Sequence, residues 1–346
     1  MNTTPSDAVR LFLDGDPRMD SQSLDDRLYL QIPLDRIKII CKHPAKYLRF
    51  LAYYILHCEG VVCHYDLVLD DLADVQGGGA YYYRRGGPGT EGLYSRIVDV
   101  EVIKSPSAYD YSPEEPGPSE RRFRSQLIRR DGNCVFSETE FDMCEAAHII
   151  PNPISNDWLS CIFATCPIGR TVSDEDIIQD SNDIRNGILV SANVHRAMRF
   201  HHAAVLPTPN HVLTTDDVPT KAPRELLSDE VYPQDDRRYT LQWFSHLRGL
   251  PTDVNTDAAF PPTTTLSPNN RPSTFLLLYV YAATALSKWG HVPASYSAFL
   301  AAPENQRRPE KTTSASRHQW EGGTYADEDS EQSEGEEKSF GKATSE

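Results

Sequence analysis

Glu145-Ala146-Ala147-His148-Ile149-Ile150-Pro151, then Asn186-Gly187-Ile188-Leu189-Val190, then Val194-His195-Arg196 are the segments from which a fold and a chemistry can be read. The first is a short apolar stretch that ends near a histidine and is stopped by a proline, as a strand is. The second opens on an asparagine and reads as a second strand. Ser191 and Asn193 are helix-capping types, which places His195 at the start of a helix. Two strands and a helix in this order can assemble a one-metal phosphodiesterase site. Cleaving a phosphodiester needs an activated water and a neutralised leaving oxygen. A histidine that is neutral near pH 7 supplies the first, and a divalent metal supplies the second. The amide of Asn186 can bond backbone across the intervening loop and hold His148 in orientation, although an asparagine before glycine is equally a turn residue.

The block Cys134-Val135-Phe136-Ser137, Glu145 to Pro151, Asn186-Gly187-Ile188-Leu189 and His195 resembles the HNH nuclease motif of the ββα-metal fold. It is most similar to the HNH-domain group abundant in fungi, in which a segment like Leu206-Pro207-Thr208-Pro209-Asn210 follows the last histidine. The similarity covers residues 134–217 and extends more weakly over residues 43–50 and the C-terminal helices. The resemblance implies DNA as substrate, His148 as general base, Asn186 as the orienting residue and His195 as ligand to a divalent ion, with Mg²⁺ the expected one. Ala147 stands where many HNH sites have an acid or a histidine just before the base. Glu145, two residues earlier on the same strand face, is the nearest replacement ligand. Arg199 stands where related domains often carry an aspartate. These two positions keep an alternative open: an HNH scaffold that has lost catalysis and serves as a binding module.

The chain has 346 residues, 39% of them hydrophobic, which suffices for one large domain or two smaller ones. The fold class expected is α+β, with a ββα-metal hairpin-helix module between an N-terminal α/β segment and C-terminal helices. A disordered arm is expected over 1–26, an α/β region over 27–104, a Pro/Ser/acid linker over 105–119, the nuclease-like domain over 120–218, a helical region over 219–306 and a disordered tail over 307–346. Within these, strands are expected at residues 29–32, 36–40 and 61–65, and helices at 44–58, 120–130, 239–250 and 274–289. The glycines around Tyr81-Tyr82-Tyr83 mark loop, and the insert between His148 and Asn186 is expected to loop out.

A net charge of -16 excludes a protein that coats nucleic acid through bulk electrostatics. Contact with DNA then depends on a local cationic surface, and Arg121, Arg122, Arg124, Arg129 and Arg130 on one helix supply the candidate. Much of the negative charge lies in the run from Asp327 to Glu337, a solvated tail. Seven cysteines without a CxxC pair suit reduced thiols. Cys134, Cys144, Cys161 and Cys166 read as buried thiols, with a zinc site the weaker alternative. Without a basic segment leading into an apolar one, the N-terminus points to an intracellular protein, nuclear or cytoplasmic. The apolar run at 275–286 is too short to span a bilayer, so no membrane partner is expected.

Overall fold

The computed structural model describes residues 7–13, 27–86, 98–100, 117–151, 159–160, 162–163, 177–219, 237–260 and 270–293. Strands and helices alternate without segregating into repeats, giving a mixed α+β architecture. A six-stranded sheet contains β1 (Ala8–Phe12), β2 (Tyr29–Pro33), β3 (Gly60–His64), β4 (Leu67–Val68), β5 (Ala80–Arg85) and the short β11 (Gly290–His291), in the order β11-β2-β1-β5-β3-β4. The β1–β5 pair is parallel and its other pairs are antiparallel. A three-stranded sheet contains β8 (Ala203–Thr208), β9 (Arg238–Trp243) and β10 (Thr256–Asp257). Between them in sequence, β6 (Cys144–His148) pairs antiparallel with β7 (Gly187–Ser191).

The expected helices at 44–58, 120–130 and 274–289 are present for the reasons their sequences contain. Helix α1 (Leu34–Ile40) precedes α2 (Pro44–Leu56), where Pro44 presets the first turn. His57 closes α2 in the left-handed region at φ 50°, three residues before Gly60. Helix α3 (Pro118–Asp131) starts on a proline with Glu120 accepting from the amide of Gly117. Helix α4 (Ala192–Arg199) follows β7 directly. Helix α5 (Thr274–Trp289) is capped by Ser273 and buries Phe275 to Tyr279 and Tyr281 to Leu286, which suits a core helix that is apolar nearly all round.

Several expectations are corrected. Ala8–Phe12, read as part of a loose arm, is a strand between β2 and β5 with Val9 and Leu11 fully buried. Residues 36–40, read as a strand, lie in α1. Ile37 and Ile40 are three apart and both buried, and the Arg36 guanidinium beside them donates to the carbonyl of Thr252 at 2.7 Å. Tyr81–Tyr83 are strand, not loop: Tyr82 stacks on Phe12, and the Tyr83 hydroxyl donates to the carbonyl of Cys58. Residues 238–243 are strand β9 rather than helix. Its polar residues are buried and bonded, Thr240 to Asp257 and Gln242 to the carbonyl of Ile40, so alternation is hidden when both faces are covered. The region after residue 219 is therefore mixed and not helical throughout. Of the expected linker only its last three residues are described, and Pro118 and Ser119 already belong to α3. The acidic tail, Cys161, Cys166 and most of the insert after Pro151 lie outside the described residues.

One pair of charges fastens these pieces together. Arg130 and Asp131 are neighbours at the end of α3, and both side chains are fully buried. The guanidinium spends every N–H: Nε and Nη2 on the two oxygens of Asp131, Nη1 on the carbonyls of Ile184 and Asn270, and Nη2 again on the carbonyl of Gly187. Asp131 also accepts from the amide of Leu189 at 2.8 Å. Removing one partner strands the other in the interior, at about 3–5 kcal/mol. Arg130→Met and Asp131→Leu are each expected to lower unfolding free energy by about that amount in urea titrations. The double variant is not expected to recover wild-type stability, because three carbonyls and the Leu189 amide still lose their partners.

A second device makes the fold acid-sensitive. Burial pushes the His57 imidazole down to about 4, below its unfolded value near 6.5. Falling pH therefore protonates the unfolded chain first. Stability is full above about 6.5, declines between about 6.5 and 4, and does not decline further from this group below that, for a total near 3 kcal/mol. His57→Asn retains a residue that tolerates the left-handed cap. It is expected to flatten the acid limb of a stability-versus-pH profile measured by chemical denaturation.

Candidate functional site

The β6–β7 pair places a helix against each face. Strand alternation puts Glu145 and Ala147 on one side of β6, and Ala146 and His148 on the other. On the His148 side lies α3. The rings of Phe123 and His148 stack with centroids 4.1 Å apart and planes 10° from parallel. Gly187, in register with His148, makes room for this stack: a Cβ there would lie 2.3 Å from Cζ of Phe123 and 2.9 Å from Leu127. On the other side lies α4, where His195 Nδ1 bonds the carboxylate of Glu145.

His148 is half-buried, and its Nε2 lies 3.1 Å from Oδ1 of Asn182. A carbonyl oxygen only accepts, so Nε2 carries the proton and Nδ1 keeps the lone pair. Burial lowers the imidazole below its ordinary value. The bond to Asn182 and the charge of Glu120 act against this, and the charge of His195 acts with it. Burial thus favours the neutral imidazole, and among the described residues no hydrogen-bond partner meets Nδ1.

Asn186 is fully buried and acts on backbone, as its position before the second strand led us to expect. Its Oδ1 accepts from the amide of Ile150, and its Nδ2 donates to the carbonyls of Ile150 and Ser181. The amide group thus pins the chain two residues after His148. The imidazole itself is held by Asn182 and Phe123, which the sequence reading passed over. Asn182 lies in the polar turn 181–183 before Asn186, and Phe123 is an aromatic on a helix assigned to surface work.

Of the five arginines expected to reach nucleic acid, two are committed elsewhere. Arg130 is the buried clamp described above. Arg124 donates to the carbonyls of Cys144 and Phe141, tying α3 to the start of β6. Arg121, Arg122 and Arg129 are exposed. Cys134 and Cys144 are buried, and the Cys144 thiol donates to the carbonyls of Thr139 and Glu140, at 3.2 Å each.

For a metal, the chain offers an imidazole nitrogen and a carboxylate already in contact, both partly exposed: 31% for the His195 side chain and 49% for Glu145. Among the described residues no group of three or more His, Cys, Asp or Glu side chains could hold a metal. Two protein donors do not make a closed four-ligand zinc site. They fit a hydrated hard cation that keeps several waters and shares its shell with a substrate phosphate. Arg199 lies one turn beyond His195 on α4.

Residues 134–205 match the family model described as HNH endonuclease, a stretch that takes in β6, β7 and α4 and ends within β8. The chain therefore carries an HNH domain over these residues. No curated protein and no solved structure matches the chain. No described helix is long and apolar enough to cross a membrane. Helix α3 precedes the matched stretch, yet supplies Phe123, Arg130 and Asp131 to it.

Gly187→Ala is expected to displace Phe123 from His148, costing about 1–3 kcal/mol as overpacking does. In an NMR titration the His148 ring signals are expected to move to a higher pKa, since the ring gains solvent. An unchanged titration in the folded variant would show that the stack does not set the protonation of His148.

Proposed function

We propose that β6, β7 and α4 form the site of a metal-dependent HNH-type endonuclease of the ββα-metal class that hydrolyses phosphodiester bonds in DNA. The observation that carries this reading is the neutral, oriented His148 with its free Nδ1 at the end of β6, beside a Glu145–His195 pair on the opposite strand face. Nδ1 takes a proton from the attacking water, which is the task of a general base poised below pH 7. Phe123 and Asn182 fix the ring. Asn186 fixes the backbone that follows it. Glu145 and His195 would hold the divalent ion, with Mg²⁺ suited to a hydrated site, and the ion would supply neutralisation of charge at the leaving oxygen. Arg121, Arg122 and Arg129 are the exposed cations of α3 available to phosphates, so binding in this acidic chain is salt-sensitive.

A second reading rests on the shortage of a third ligand: an HNH scaffold that binds DNA without cutting it. Nicking of supercoiled plasmid with Mg²⁺, Mn²⁺, Ni²⁺ or Zn²⁺ separates the two. His148→Ala is expected to lose at least about 100-fold in rate, as removal of a general base does. Glu145→Gln is expected to require a higher metal concentration. Because the His148 pKa is depressed, wild-type activity is expected to hold as pH falls to 6.5 and to decline only below it. The enzyme reading fails if no ion supports nicking or if His148→Ala nicks like wild type. DNA binding without nicking supports the scaffold.

A further inference from the structure

In a chain with 50 aspartates and glutamates, the stretches 184–215, 237–252 and 258–303 contain none. The fold brings part of each stretch to one place. His201 and His202 follow α4, Ser245 follows β9, and Ser287 and Lys288 lie at the end of α5. His202 Nδ1 is 2.7 Å from Oγ of Ser245 and 3.3 Å from Nζ of Lys288. His201 Nδ1 is 3.0 Å from Oγ of Ser287. Ser287 and Lys288 are exposed, and the other three are half-buried.

An ammonium only donates, so Nδ1 of His202 is the acceptor and its Nε2 carries the proton. Burial, and then the charges of Lys288 and His201, hold this imidazole below its ordinary value. Among the described residues Lys288 meets no carboxylate; its bond goes to a ring nitrogen instead. The cluster thus offers imidazole, hydroxyl and ammonium groups without an acid among them. An anion bound here would favour the charged form of all three cationic groups, and this is the donor set that phosphate takes. A lysine in the last turn of a helix also meets the negative end of the helix dipole, a role that touches stability alone. A second feature points to a nucleotide. Phe200, next to His201 in the chain, is 52% exposed, and the Arg196 guanidinium lies 5.8 Å from its ring centroid. An exposed aromatic ring among cations is a stacking platform for a base.

We propose that His201, His202, Ser245, Ser287 and Lys288 seat a backbone phosphate of a bound DNA strand, with an unpaired base of that strand on Phe200. The inference rests on the nuclease reading for DNA as the ligand, and it adds a contact surface that the arginines of α3 do not supply. A phosphate carries no sequence information, so the cluster positions the strand and does not select its sequence.

The test is binding in EDTA, which withholds metal from the nuclease site. Full-length protein is titrated by fluorescence anisotropy with labelled single-stranded oligonucleotides of several sequences over a range of salt. Lys288→Gln is expected to weaken every sequence by about twofold to fivefold, the worth of an exposed ion pair. It is also expected to reduce the slope of log K against log salt by about 0.7, the loss of one phosphate contact on a single strand. Lys288→Arg keeps the charge and is expected to retain both. Phe200→Ala is expected to weaken binding about fivefold or more and to leave the slope unchanged. Arg84→Gln makes the same change in net charge on β5, three strands from the β11 that follows Lys288, and is expected to change neither affinity nor slope. The proposal is overturned if DNA does not bind, or if Lys288→Gln leaves affinity and slope unchanged while circular dichroism reports a folded protein. It is overturned equally if Arg84→Gln matches Lys288→Gln, which is bulk electrostatics. Inorganic phosphate that moves the His202 ring signals in NMR, with DNA affinity insensitive to Lys288, assigns the cluster to a free anion and removes the DNA reading of it. The nicking assay answers the other question. Nicking without dependence of binding on Lys288 leaves the enzyme reading standing and removes this one, and Lys288-dependent binding without nicking does the reverse.

Discussion

The Arg130–Asp131 pair is the constraint on which the site depends. A fully buried guanidinium is tolerated only when its charge is met and all of its donors are used, and here both conditions hold. The consequence is geometric. By binding the carbonyls of Ile184 and Gly187, the guanidinium grips the turn that carries Asn186 on both sides. By accepting from Leu189, the carboxylate sets the height of α3 over β7. That placement brings Phe123 above Gly187 and onto the ring of His148. The orientation of His148 is thus inherited from a salt bridge that does not touch it.

Small residues matter at this site as much as polar ones. Gly187 admits the Phe123 ring, and Ala147, 1% exposed, packs within the core. The result is a division of labour between two faces of one strand. The α3 face is apolar and keeps His148 neutral through burial. The α4 face is wetter and carries the Glu145–His195 pair. Alternation along β6 supplies both environments within four residues.

The placement of His148 and Asn186 at strand ends, and of His195 in the helix after β7, was legible because boundaries leave local marks such as Pro151, Gly187 and the capping types around Ser191. Helices α2, α3 and α5 were legible from periodicity and their start signals. What misled was burial on both faces. Strand β9 alternates Tyr239, Leu241 and Trp243 with Thr240 and Gln242, but the polar residues are inside too, so composition over a longer window suggested a helix. Helix α1 is rich in isoleucine, which suits a strand by propensity, but Ile37 and Ile40 share one buried helical face. The arginines of α3 were indistinguishable in sequence. Arg130 is interior and Arg129 is exposed, although they are adjacent, because a helix turns 100° per residue and the neighbouring chain lies on one side only.

The sequence by itself determined the identity and order of the chemical groups: a histidine ending one strand, an asparagine preceding the next, and a histidine in the following helix. It also determined that residues 147 and 199 are an alanine and an arginine, neither of which offers a metal a donor. Tertiary structure alone decided which nitrogen of His148 meets Asn182, that Phe123 stacks on the ring, that Glu145 and His195 meet, and that two of five arginines serve the interior. The reason is that protonation, exposure and pairing depend on what lies across space within a few ångströms. The residues responsible are separated here by up to 140 positions along the chain.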